Sequence, residues 1–263
     1  MFIPRLWLSL FILFFLSFLS VNSQKETPRH KFYEFSDEEK EMIKLINSAR
    51  KDNDIKTFRT NEELSLALKI ELITKSKKVP PMVVKELKEE LTDLISKFGE
   101  RMFVVEIEDS SKFLQKLFEN SKIKDIILDK KSIALALANH KIGNLSYTLI
   151  YFPKYNLEYG PFIDEIAHNI GDSAWAKVSL TIQGKSDGRY LEFVFYEGSD
   201  LPFYHKGENK EIKELKTKDD GSFSISFEIS KFGKGEKTVA VFSKDDLSEP
   251  YNLVSLLKSG SAF

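Results

Sequence analysis

The sequence predicts an α+β chain in two parts, a set of helices over a small sheet followed by an all-β sandwich. Three observations carry that expectation. From Ser36 to about Ser121 the apolar residues recur at helical spacing, beyond Pro153 they alternate at every second position, and the 263 residues include no cysteine. About 240 residues follow position 23, more than one core normally uses, so two domains of about 100 to 130 residues are expected. Without cysteine, disulfides, thiolate nucleophiles and thiolate zinc sites are excluded, and stability must come from apolar packing.

The first segment is read as outside the fold. Arg5 leads an apolar run from Leu6 to Val21, and the small Val21 and Ser23 precede the polar Gln24-Lys25-Glu26-Thr27-Pro28. This pattern predicts a cleavable signal peptide over residues 1–23 and a mature chain starting at Gln24. A permanent anchor wants about twenty apolar residues. No stable transmembrane anchor is therefore expected after cleavage, and the chain is expected outside the cytoplasm, whether secreted, periplasmic or at the cell surface. Residues 24–35 are expected to form a flexible lead.

The first domain is assigned to residues 36–153. Ser36 followed by Glu39 is a capping box opening a helix with Met42, Ile43, Ile46 and Ala49 on one face. Thr60 and Glu63 suggest a second box, before a helix bearing Leu64, Ala67 and Leu68, with Leu66, Ile70 and Ile73 widening the stripe until two sides are apolar. Pro80-Pro81 breaks the chain, and Val84, Leu87, Leu91, Leu94, Ile95 and Phe98 mark a third helix ending at Gly99. Arg101 to Ile107 reads as a strand, Ser111 to Ser121 as a short helix, and Ile133 to Ala138 and Leu145 to Phe152 as an antiparallel pair. The turn between the pair is placed at Asn139 to Asn144, with His140 in it.

Residues 154–174 are expected to link the halves, and residues 175–263 to form the sandwich, with Trp175 at its start. Val178, Leu180 and Ile182, then Leu191, Phe193 and Phe195, then Phe223, Ile225 and Phe227, then Val239 and Val241 supply period-two strands, closed by Tyr251 to Leu257. Lys185-Ser186-Asp187-Gly188, Lys218-Asp219-Asp220-Gly221 and Phe232 to Glu236 are turn chemistry.

Lysine and arginine total 39 against 40 acidic residues, a net charge of -1. No global field draws nucleic acid, which is excluded as a partner. Gly184-Lys185-Ser186-Asp187-Gly188 matches a serine-hydrolase pattern, but strands flank it on both sides, so a hairpin turn is expected rather than a nucleophile elbow. Asp164, Glu165 and His168 fall at helical spacing without a second histidine, and Asp219-Asp220-Gly221 lacks calcium-loop spacing. No cofactor is expected. Asn144-Leu145-Ser146 is a glycosylation acceptor if the source is eukaryotic.

The order Leu45-Ile46-Asn47-Ser48-Ala49-Arg50, Asn61-Glu62-Glu63-Leu64, Gly99-Glu100-Arg101, Phe118-Glu119-Asn120-Ser121, Ile126-Ile127-Leu128 and Ser132 to Ala136 resembles a degenerate domain of the CAP superfamily, which includes cysteine-rich secretory and pathogenesis-related proteins. The resemblance covers residues 36–152 and implies an α/β/α sandwich with a secreted binding role. The second half resembles immunoglobulin-like β-sandwich modules of exported proteins. The CAP groove joins two histidines and two acidic residues. Here Glu100 matches an acidic position, Arg101 stands beside it to pair the carboxylate, Ile70 or Glu71 replaces one histidine, and Lys122, Ile123 or Lys124 the other. A family-type metal site is not expected, and Glu100, Arg101, Lys122 and Lys124 make a candidate groove for an anion or a protein carboxylate.

Tyr196, Phe203 and Tyr204 make a second candidate, an exposed aromatic binding face. The expectation is a non-catalytic binding or surface-interaction protein with a protein, lipid or glycan partner. Its rivals are a metal-dependent hydrolase using Glu100 and a lipid or sterol carrier.

Overall fold

Ser36 opens α1 (Asp37–Lys51) with the predicted capping box: its hydroxyl accepts from the Glu39 N–H at 3.2 Å, and the Glu39 carboxylate accepts from the Ser36 N–H at 2.9 Å. The computed structural model describes residues 33–77, 84–159, 163–167, 177–198, 201–205, 207, 210–228 and 237–259. The expected signal peptide, Trp175 and the Phe232 to Glu236 turn lie outside these residues. The second helix, α2 (Glu62–Ser76), is capped by Asn61 and not by Thr60. Thr60 is held in the short strand β1 (Arg59–Thr60), parallel to β3 (Ala134–Ile142), so the helix begins later and Asn61 Oδ1 takes the Leu64 N–H at 3.0 Å.

Helix α3 (Val84–Phe98) stops where expected, at Gly99, whose φ of +74° suits a residue without Cβ. β2 (Met102–Ile107) follows, then α4 (Phe113–Glu119) and α5 (Ser121–Ile127), a helix not read from the sequence and capped by Asn120. β3 pairs antiparallel with β4 (Leu145–Tyr151) and runs to Ile142, so His140 lies in a strand and the turn shrinks to Gly143-Asn144. The sheet order is β1-β3-β4-β2.

Alternation sorts this sheet's two faces. Leu135, Leu137, Ile150 and Phe152 pack against α1, α4 and α5 through Met42, Ile46, Phe113, Leu117, Ile123 and Ile127. Ala136, Ala138, Leu149 and Tyr151 pack against α2 and α3 through Leu64, Leu68, Leu91, Leu94 and Phe98. The small alanines let α2 lie close to β3, which buries both helix and strand. Ile70, expected in the buried stripe, is 42% exposed. It sits on the side of α2 that neither sheet reaches.

The second half contributes two sheets. One joins β10 (Ser222–Glu228), β7 (Lys177–Ser186) and β5 (Leu157–Tyr159), with β6 (Ile163–Ala167) also paired to β7; the other has the order β12 (Asn252–Ser259), β11 (Lys237–Lys244), β8 (Tyr190–Glu197) and β9 (Lys210–Lys216). They face each other across Phe193, Phe195, Phe223 and Phe227, with Phe195 and Phe227 stacked at 5.4 Å. Each such ring contributes about 1.5–3 kcal/mol by leaving water. Asp164 and Glu165 therefore stand on a strand, not a helix, because β6 completes the edge of β7. His168 lies outside the described residues.

The expected hairpin at Gly184 to Gly188 is also corrected. β7 and β8 belong to different sheets, so the Lys185 to Gly188 turn crosses the sandwich, as does the Lys218 to Gly221 turn between β9 and β10. The β12-β11-β8-β9 sheet turns its other face to α2 and α3, where Tyr196, Ala240, Phe242, Leu253 and Leu256 join the cluster of Leu68 and Leu94. Two helices thus fill the space between two sheets. The result is a mixed α+β architecture with several antiparallel sheets.

Candidate functional site

Glu100 sits in the 3-10 turn Gly99–Arg101 directly after α3, and its carboxylate meets Lys122 of α5 at 3.3 Å with both side chains mostly exposed. Arg101 does not pair with Glu100. Its Nε donates to the Phe152 carbonyl at 2.8 Å and its Nη2 to Ser132 Oγ at 2.7 Å, drawn inward by acceptors that a solvated carboxylate cannot outbid. Lys124 stands over the Phe118 ring at 6.0 Å. Glu100 and Lys122 are brought together, while Arg101 serves the core and Lys124 lies apart. An exposed pair of this kind is worth about 0–1 kcal/mol.

The aromatic candidates divide as well. Tyr196 is fully buried against His205, at 4.6 Å between rings, and is not available as an exposed ligand. Phe203 packs edge-on to Phe98 and Phe242, and Tyr204 donates to Asp93 at 3.0 Å with Lys75 and Lys97 over its ring. Phe203 and Tyr204 are half-buried mortar between α3 and the sandwich. Burial, with the nearby Asp93 carboxylate, pushes the Tyr204 phenol well up.

Two buried polar centres were not read from the sequence. Arg50, fully buried, donates to the carbonyls of Lys56 at 2.6 Å, Ile127 at 2.6 Å and Ser132 at 2.7 Å, and lies over the Phe58 ring at 3.9 Å. Glu39, 1% exposed, accepts from Tyr33 Oη at 2.8 Å, the Asn139 N–H at 2.8 Å and Lys69 Nζ at 3.1 Å besides closing the helix cap. Burial works to raise the Glu39 carboxyl, but the bonds from Asn139, Ser36, Tyr33 and Lys69 together hold it below the usual range. Every donor is answered, so both centres hold structure and leave nothing aimed at a ligand.

A concave feature lies elsewhere among the described residues. The two cross-sheet turns meet at one end of the sandwich around a cleft of about 650 Å³. Ser186 donates its N–H to the Gly221 carbonyl at 3.0 Å, and Thr217 to that of Arg189 at 3.0 Å, so the turns brace each other. Gly221 has a φ of +78°, and a Cβ there would stand 2.5 Å from the Ser186 carbonyl oxygen. Asp187 accepts from the Asn156 N–H at 2.6 Å and Nδ2 at 2.5 Å, yet burial prevails and pushes its carboxyl up. Glu158 reaches out of the sandwich to Arg59 of β1 at 2.7 Å. A second cleft, of about 560 Å³, shares Glu158, Lys185 and Lys218 and continues over Gln183, Ser222 and Ser224. The available sequence signal was a repeated Lys-x-Asp-Gly, at Lys185 to Gly188 and Lys218 to Gly221. Reading the first as a hairpin and the second simply as a turn hid their convergence.

No group of three or more metal-ligating side chains converges among the described residues, and no described helix is long and apolar enough to cross a membrane. Fold and cleft together define a mixed α+β protein with a polar cavity at the end of a two-sheet sandwich. No family model matches the chain, and no curated protein matches it in sequence. Among solved structures, an outer surface protein of Borrelia burgdorferi is similar over 45% of this chain and 94% of its own, at 10% identity and a TM-score of 0.34. A cysteine-rich secretory protein of Staphylococcus aureus is similar over 44% of this chain and 38% of its own, at 14% identity and a TM-score of 0.31. Both scores lie below 0.5, so neither likeness carries a fold or a function to this chain.

Proposed function

We propose that this chain is an exported, non-catalytic binding protein whose ligand site is the cleft between the Lys185 to Gly188 and Lys218 to Gly221 turns. The observation that carries the reading is the cleft itself. Its size falls within the about 300–1,000 Å³ of small-ligand sites, and its walls are turns fixed by backbone bonds and a glycine that tolerates no side chain. Rigid walls lower the ordering cost of binding.

Export rests on the Arg5-led apolar run and its small-residue close, and the test is N-terminal sequencing of secreted protein, with Gln24 expected first. The CAP-like and immunoglobulin-like assignments belong to the same reading. They are supported by the helix-sheet-helix layering of residues 37–151 and by the facing sheets of the second half. Against the hydrolase alternative stands the setting of Glu100, solvated beside Lys122 with both side chains mostly exposed. The binding site is tested by backbone-resonance mapping of residues 24–263 with a mixture of saccharides and small organic acids. Shifts confined to residues 185–189 and 216–221 are expected; shifts centred on Glu100 or Tyr204 instead would overturn the assignment.

A further inference from the structure

We infer that the outer edge of β9 is a contact surface for a second copy of this chain, the two β9 strands pairing antiparallel about a two-fold axis at Ile212 so that one sheet runs through both protomers. β9 ends its sheet and, among the described residues, pairs with β8 alone, and no backbone bond of residues 211–215 leads elsewhere. Its far side therefore offers a row of N–H and C=O groups that a second strand can satisfy. Ile212 stands at the middle of β9 and is 50% exposed; among the large apolar residues described, only Leu247 is more exposed. Its neighbour across the ladder is Val194 of β8, which packs against the core shared with α2 and α3. Ile212 thus carries that apolar strip out to the edge, where it stops uncovered.

The occupant follows from the order of charges. The strand reads Lys210-Glu211-Ile212-Lys213-Glu214, and reversing it about Ile212 exchanges every sign. Antiparallel pairing in that register sets Lys210 against the partner's Glu214, Glu211 against the partner's Lys213, and Ile212 against the partner's Ile212. Opposite charges directly across a ladder attract and like charges repel. A slip of one residue either way sets Glu211 against the partner's Glu214 or Lys210 against the partner's Lys213, so this register is selected over its neighbours. Edge strands kept from pairing carry charge that repels their own kind; here the signs are antisymmetric and suit a copy running the other way, the isologous contact of a two-fold dimer. Glu211 and Lys213 are already 3.0 Å apart within the strand, so the exposed Lys210 and Glu214 supply most of the attraction. Glu214 also faces Glu192 across β8, whose carboxyl is held up by burial and then by Glu214. The partner's Lys210, opposite Glu214, brings a further cation to that pair of like charges.

The test is sedimentation velocity of residues 24–263 across a concentration series. A reversible dimer is expected, weaker as salt rises. Ile212→Lys sets two ammonium groups at the axis and is expected to abolish it. Lys210→Glu and Glu214→Lys, each alone, oppose like charges twice per dimer and are expected to weaken association by about tenfold or more. The double variant Lys210→Glu/Glu214→Lys restores opposite charges and is expected to recover the dimer. All three positions are exposed, so the variants keep the fold, checked by circular dichroism; should Ile212→Lys fail that check, the charge reversals and their recovery decide the matter. A monomer at every concentration leaves the edge to a strand of some other protein and overturns the inference. A dimer indifferent to these variants is joined elsewhere on the molecule and overturns it as well. Single reversals that weaken the dimer without recovery in the double variant overturn the register about Ile212.

Discussion

Tyr151 at the end of β4 donates its hydroxyl to the Leu253 carbonyl of β12 at 2.5 Å, inside the core. The bond joins the first sheet to the sandwich past the helices that separate their faces. Arg59 to Glu158 and Asn61 Nδ2 to Ser255 Oγ at 3.1 Å reinforce the same seam. Burial holds the Tyr151 phenol far above its ordinary ionisation, which keeps its hydroxyl a donor at neutral pH.

Tyr151→Phe leaves the Leu253 carbonyl short of its buried partner at a cost of about 1–3 kcal/mol. Urea unfolding followed by circular dichroism is expected to show that loss. Native-state hydrogen exchange should show it in β4 and β12 together; a loss confined to one strand would mean the seam does not couple them.

Arg50 distributes its guanidinium among carbonyls that no lysine reaches at once. Arg50→Lys is expected to cost about 2–4 kcal/mol, read as a lower denaturation midpoint with an unchanged slope. A substitution within 0.5 kcal/mol of the parent would show that the carbonyls find other donors.

Glu39 contributes to the acid limb of stability. Its carboxyl is held lower in the folded chain than in the unfolded one, so its contribution is complete above about pH 4.3 and fades as pH falls through the folded value. Glu39→Gln should destabilise by about 2–4 kcal/mol at pH 7 and flatten the fall of the midpoint as pH drops below about 4.3.

Glu192 works the other way. It stands directly opposite Glu214 across β8 and β9, and burial first, then that neighbour, raises its carboxyl, against the pull of Lys244 and Lys210. A raised folded value gives a contribution that is present below the unfolded value and lost as pH rises through the folded one. Glu192→Gln should therefore stabilise at neutral pH by about 0.2–1 kcal/mol and lose that advantage in acid, as thermal melts across pH will show.

Gly221→Ala forces a side chain onto the Ser186 carbonyl at a positive φ. A loss of about 1 kcal/mol or more is expected, with resonance changes spreading from Gly221 to Ser186 and Asp187. An unperturbed Asp187 would show that the two turns are independent.

Much of the fold was legible. Capping boxes, Gly99 and the 3.6-residue stripes mark local requirements, and local requirements are written locally, which is why α1, α3 and β2 fall where the sequence places them. The cap of α2 was misread because Thr60 answers to a distant strand, and β6 was misread because Asp164 and Glu165 are as compatible with a strand edge as with a helix.

The sequence alone determined the absence of cysteine chemistry, the balanced charge, the change of period after Pro153 and the identities of most core residues, since each depends on composition or short-range spacing. Only the tertiary structure decided that Arg101 turns from Glu100 toward Ser132, that Tyr196 is buried, and that two Lys-x-Asp-Gly turns meet in one cleft. Those outcomes depend on which strands pair and which sheet a turn crosses to. Period-two patterning specifies a strand's faces but not its neighbours, so the partner of each turn becomes known only when the sheets close on each other.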